Sequence, residues 1–193
     1  GCSKGAGDIL GAVARNEADT RQVVAVLSVA GSIGGSPLAD KGSQGALDLI
    51  RFAPGGQCDV GDDSAVESLR TDVRQAWLAQ HSLPTAVRSY SMVALPQQDR
   101  VSTLLLPGYA TLAEIHPLND SNVLFYDALI PGSTLLGYAN ADHWAVSLPV
   151  ARSSPLLGAT VVSQNNYPRE VLWQAMIDFI VADLESARQD PAG

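Results

Sequence analysis

The residues with the clearest chemical capacity stand at the start of the chain. Gly1-Cys2-Ser3-Lys4-Gly5 has the pattern Gly-x-Ser-x-Gly, in which the glycines permit a sharp strand-to-helix turn that holds the serine hydroxyl exposed. Chance alone gives roughly 0.1 to 0.2 such matches in a chain of this composition, so the motif acquires meaning only from its context. A serine hydroxyl is a poor nucleophile until a base takes its proton, and that base needs an acid to fix its tautomer. Three histidines are candidates for the base. His81 closes an amphipathic stretch, where a cation near a helix C-terminus is ordinary. His116 precedes Pro117 in a polar loop. His143 follows the last strand-like segment, in Asn140-Ala141-Asp142-His143, and its bland reading is a loop histidine capped by Asp142. For the acid, Asp120 lies in the turn Asn119-Asp120-Ser121-Asn122. Asp127 is the alternative, although a helix around it suits a solvated or structural residue, and Asp142 is too near His143 in sequence to reach its ring nitrogen easily. The order Ser3, Asp120, His143 is one of those in which such triads run along a chain.

These side chains need elements to hold them. Ile9, Leu10 and Val13 have helical spacing, so a helix directly follows the opening turn. Residues 22–30, Gln-Val-Val-Ala-Val-Leu-Ser-Val-Ala, form an apolar run without alternation, as a strand covered on both faces does. Gly31 to Pro37 breaks it as a loop. A short helix is expected over 45–53, then a Gly-rich acidic loop from Pro54 to Asp63. Ser64 with Glu67 makes a capping box. It opens one helix with Val66, Leu69, Val73 and Trp77 on a face, stopped before Pro84. Ala86 to Leu95 reads as a strand, and Val101 to Leu106 as a further strand or part of an insertion reaching Ala113. Val123 to Leu129 reads as a short helix ended by Pro131-Gly132, and Thr134 to Ala139 as the last strand. Pro168 opens a final helix whose stripe is Val171, Leu172, Ala175, Met176, Phe179 and Ile180. Strands alternating with helices mean an α/β fold with a mainly parallel sheet.

Composition narrows the function classes. The 193 residues are 46% hydrophobic and 17% charged, which supports one domain with a sizeable core and argues against disorder. A net charge of −8 argues against a nucleic-acid partner, because phosphate binding needs clustered positive charge. No window approaches the roughly 18–20 apolar residues of a membrane span. The histidines and cysteines lack ligand spacing, so neither a metal nor an organic cofactor is implied. Cys2 and Cys58 permit one disulfide without demanding it.

Together, Gly1 to Gly5, Ala30-Gly31-Ser32-Ile33-Gly34-Gly35-Ser36-Pro37-Leu38-Ala39-Asp40, Asn119-Asp120 and Ala141-Asp142-His143 resemble the α/β-hydrolase superfamily, with lipase- and esterase-like members nearest in pattern. The resemblance runs from Gly1 to about Leu184 and covers the C-terminal half of that family, beginning at its nucleophile elbow. It implies a partial α/β-hydrolase fold over 1–193, with a small cap-like insertion at about 41–84 where substrate is selected. It implies Ser3 as nucleophile, His143 as general base and then acid, Asp120 as the orienting carboxylate, and the backbone N–H of Lys4 as an oxyanion donor. Ser121 and Lys4 depart from the residues common at their positions.

The implied reaction is hydrolysis of a small-molecule carboxylic ester or thioester through an acyl-enzyme. In a complete member, five further strands and the loop with the second oxyanion amide precede this segment. Losing one oxyanion donor typically costs about 2.7–4 kcal/mol of transition-state stabilisation, so residues 1–193 alone are expected to be inactive. Two rivals remain: a lipid-anchored binding protein tethered through Cys2, which predicts a flexible polar segment after Cys2, and an α/β-hydrolase-like binding domain without catalysis, which predicts missing triad members.

Overall fold

Three of the apolar segments pair as parallel strands, in the order β1 (Ala25–Gly31), β2 (Arg88–Ala94) and β3 (Thr134–Ala139). The computed structural model describes residues 1–15, 22–41 and 64–189, with the main chain alone at Ser64. The expected helix over 45–53, the acidic loop that follows it, Cys58, and most of the insertion at about 41–84 lie outside the described residues. Leu27 of β1 pairs with Tyr90 of β2, and Tyr90 with Thr134 of β3; an irregularity at Ser91/Met92 shifts the second register. Parallel neighbours need long crossovers, which bring helices onto both faces of the sheet.

On one face α1 (Ser3–Ala14) buries Ala6, Leu10 and Val13 against Val26, Val87 and Ile130. On the other, Met176 of the C-terminal helix (Arg169–Gln189) joins Val29, Met92, Ala139 and Val146. Successive residues of β1 thus serve opposite layers, which explains why its run shows no alternation. The C-terminal helix buries Met176 and Ile180, but Val171 is 70% and Phe179 50% exposed, so its expected stripe is covered only along its centre.

Two expectations are corrected. Val101 to Leu106 is no strand: a 3-10 turn at Thr103–Leu105 leads into a helix over Leu106–Ala113 with Pro107 in its first turn. The backbone N–H groups of Ser102 and Leu104 donate to Asp142 and to the carbonyl of Val161, and neither serves a strand ladder. The single helix expected from Ser64 onward is two, Ser64–Glu67 and Thr71–Gln80. At the break the Leu69 carbonyl accepts from Ser36 N, and Asp40 caps the second helix by accepting from Thr71 N at 2.8 Å.

Candidate active site

Cys2 is extended, with φ −123° and ψ 151°, and Ser3 turns the chain into α1 through a left-handed φ of 49°. Before the turn, residues 1–3 run parallel to β1, with bridges of Cys2 to Val29 and Ser3 to Gly31. The first glycine of the motif is required by space, because a Cβ at Gly1 would lie 2.7 Å from the carbonyl oxygen of Gly5. A Cβ at Gly5 meets nothing within 4 Å among the described residues. A non-glycine residue held at positive φ costs of order 1–3 kcal/mol, and such strain gathers where a side chain must be aimed.

The structure brings Ser3, His143 and Asp120 together. Ser3 Oγ lies 2.9 Å from His143 Nε2, and His143 Nδ1 lies 2.7 Å from Asp120 Oδ2. His143 is 2% and Asp120 1% exposed. With the carboxylate accepting a hydrogen bond from Nδ1–H, Nε2 of the neutral ring is left as an acceptor for the serine hydroxyl. Asp120 Oδ1 accepts from Asn122 N at 2.9 Å and Val123 N at 2.7 Å, so its own loop holds the acid through the oxygen that the histidine does not use. Ser36 Oγ donates to the Asn122 carbonyl and buttresses that loop from the end of the Gly31–Pro37 segment. Burial would lower the pKa of His143, but the charge and hydrogen bond of Asp120, with the charge of Asp142, outweigh it and leave His143 raised. An imidazole so held takes a proton readily and keeps a defined tautomer, which is what a general base needs.

The remaining candidates sit elsewhere. Lys4 occupies the first turn of α1, where main-chain N–H groups have no partner within the helix; its ammonium pairs with Asp8 at 2.7 Å. His81 stacks on Trp77 with centroids 4.4 Å apart, and its Nδ1 lies 2.9 Å from the Trp77 carbonyl. It lines a cavity of about 340 Å³ with Leu10, Leu83 and Val87, at the end of the strands opposite Ser3. His116 accepts from Leu118 N and packs against Phe125 and Tyr126. Asp127 is 4% exposed, beneath Gly34 and near Gln75, so it is structural and not solvated. Sequence reading weighed Asp142 only as a cap for His143 or as a rejected acid, and passed over Arg169. Both are buried, and their side chains bind the loop that carries His143. Among the described residues no three His, Cys, Asp or Glu side chains gather as metal ligands, and no helix is long and apolar enough to cross a membrane.

A parallel sheet with helices on both faces defines an α/β protein, and beside the end of its first strand a serine in a strained turn faces a buried imidazole and carboxylate. Comparison with solved structures agrees. A metagenomic carboxyl esterase matches with 42% identity and a TM-score of 0.81, over 94% of this chain and 55% of the esterase. A Bacillus licheniformis lipase in its mature form shares the fold, with 22% identity and a TM-score of 0.60 over 81% of this chain and 63% of the lipase. The chain is therefore related to the esterase- and lipase-like α/β hydrolases, and it spans about half the length of the esterase it matches. No protein-family model and no curated protein sequence matches it.

Proposed function

We propose that the protein is a serine hydrolase of carboxylic esters or thioesters, with Ser3 as nucleophile, His143 as general base and acid, and Asp120 as the carboxylate that orients the base. The observation that carries this reading is the continuous relay of 2.9 Å and 2.7 Å from Ser3 through His143 to Asp120. The likeness to a carboxyl esterase at 42% identity supports the substrate class.

Ser3 Oγ attacks the carbonyl carbon while its proton passes to His143 Nε2. The tetrahedral oxyanion is held by backbone donors, among them the N–H of Lys4 in the first turn of α1. Collapse breaks the bond to the alcohol or thiol, which leaves with the proton from His143. Water then attacks the acyl-Ser3 ester, giving up its proton to His143; collapse breaks the bond to Ser3 Oγ, which takes that proton back from His143, and the acid is released. Asp120 stays ionised throughout and stabilises the imidazolium.

The test is a fluorophosphonate probe and a series of p-nitrophenyl esters, applied to the full-length protein. Labelling and turnover that both vanish in Ser3→Ala support the assignment. Labelling that persists in Ser3→Ala makes another residue the nucleophile, and a protein that neither labels nor turns over any ester assigns the fold to a binding role instead.

A further inference from the structure

We propose that Asp142 is a positioning residue for this site: it builds the turn that presents His143 and places a second buried negative charge beside the imidazole. The inference rests on the serine-hydrolase reading above. Asp142 is 0% exposed. Its Oδ1 accepts from Trp144 N at 3.1 Å and Ala145 N at 2.9 Å, and its Oδ2 from Ser102 N at 2.9 Å. The first two bonds close a local turn over 142–145, of the kind in which an aspartate substitutes for backbone acceptors. The third ties that turn to the loop following β2, forty positions back in the chain. Asp120 thus holds His143 directly, through its ring and its main-chain N–H, while Asp142 fixes the main chain that follows it at Trp144 and Ala145.

A buried carboxylate is costly unless it is compensated, and neutral acceptors would satisfy the same three N–H groups. What a charge adds is electrostatic. The charges that act on His143 are Asp120 from the preceding loop and Asp142 from its own. Arg169, from the C-terminal helix, lies beyond the turn: its Nε donates to the Ala145 carbonyl at 3.0 Å, and it senses the charge of Asp142. The charge of Asp142 is thus felt both by a base that must become cationic during turnover and by the Arg169 guanidinium. That negative charge favours the imidazolium that forms when Ser3 gives up its proton.

The sign follows. Removing the Asp142 charge makes His143 less basic, so the acid limb of kcat/KM, which reports the free enzyme's base, moves to lower pH. Asp142→Asn and Asp142→Ser both keep an acceptor for the local turn and remove the charge. In the full-length enzyme each is expected to move the acid-limb midpoint down by about half a pH unit or more, with kcat at the plateau reduced about ten-fold or more. Either variant with reduced kcat and an unmoved midpoint overturns the proposal, since a merely structural role lowers activity without altering the titration. If neither variant folds, the wild-type profile decides: a midpoint at or below the ordinary histidine value of about 6.5 overturns it, and one above supports it. Fluorophosphonate labelling of wild-type Ser3 separates this outcome from failure of the hydrolase reading, because that labelling is independent of Asp142.

Discussion

His143 and Asp120 are joined twice. The ring Nδ1 lies 2.7 Å from Asp120 Oδ2, and the backbone N–H of His143 donates to the Asp120 carbonyl at 3.0 Å. The main-chain bond survives any change of the Asp120 side chain, so the two loops remain docked when the carboxylate is altered. Asp120→Asn is therefore expected to fold and to retain the Ser3–His143 contact while favouring the wrong tautomer, with kcat lower by about 10⁴-fold. Asp127→Asn, whose side chain lies under Gly34 and toward Gln75, is expected to change kcat by less than about three-fold, far below the effect on a triad member. Steady-state ester hydrolysis by both variants checks the pair. A larger loss in Asp127→Asn would move the role of acid to Asp127.

Asp127 has its own signature, in stability. Burial first, and the charge of Asp40 second, push its pKa from 3.8 to about 6, against a lowering hydrogen bond from Gln75. The folded state therefore holds a proton that the unfolded chain releases between about pH 4 and 6. Stability from this group is complete at the acid side, falls across that window, and stays low above it. Asp127→Asn removes the ionisation, so its Tm is expected to match wild type near pH 4 and to exceed it by roughly 6–12 °C above pH 6. A pKa raised from 3.8 to about 6 corresponds to about 3 kcal/mol, and each kcal/mol moves Tm by about 2–4 °C in domains of this size. Thermal melts from pH 4 to 8 measure the difference. A constant offset between the two proteins would show that the carboxylate is not held protonated.

Much of this was legible in the chain because the signals were local. The run over 22–30 gave away a strand buried on two faces, and Ser3 stood in a motif whose sense depends only on the turn around it. The break at 68–70 was not legible, because it is set by Asp40 and Ser36, residues some thirty positions earlier. Val101 to Leu106 misled because a short apolar segment looks the same whether it pairs in a sheet or packs as a turn. Arg169 was invisible for a different reason: arginine is ordinarily exposed, and only the carbonyls of Ala145 and Asn165 make its burial possible. Asp142 needed Ser102 as its partner, and nothing in the sequence links the two.

Ser121, next to the candidate acid, is strained. Its φ is 91°, it is fully buried, and its hydroxyl has no hydrogen-bond partner. Ser121→Gly relieves the backbone and removes the unpaired hydroxyl, against the entropy a glycine adds to the unfolded chain. The balance is expected to favour the variant by about 1 kcal/mol, with ester hydrolysis unchanged because the bonds of Asp120 to Asn122 N and Val123 N do not involve this side chain. Ser121→Ala keeps the positive φ and loses only the hydroxyl, so its gain should be smaller. Denaturant midpoints order the three proteins. A destabilised Ser121→Gly would mean that the serine side chain itself holds the loop.

Gly31 sits across from Ser3 at the end of β1, where α1 comes close to the sheet. A Cβ there would strike Ser28 Oγ and lie 2.7 Å from Ala6 Cβ. Gly31→Ala must therefore push α1 outward, and Ser3 is the first residue of that helix. Overpacking of this kind costs about 1–3 kcal/mol; a displacement near 1 Å at a reacting atom costs about 10²-fold in rate. Gly132→Ala is the matching control. Gly132 has φ 75° with open space around it and precedes β3 at the end of the sheet away from Ser3, so alanine there should cost about 1 kcal/mol of stability with little change in rate. Loss of kcat in Gly31→Ala alone, with both variants folded at the assay temperature, ties the rate to the seating of α1. Equal activity in the two variants would mean that Ser3 tolerates the shift and that the close approach at Gly31 serves packing only.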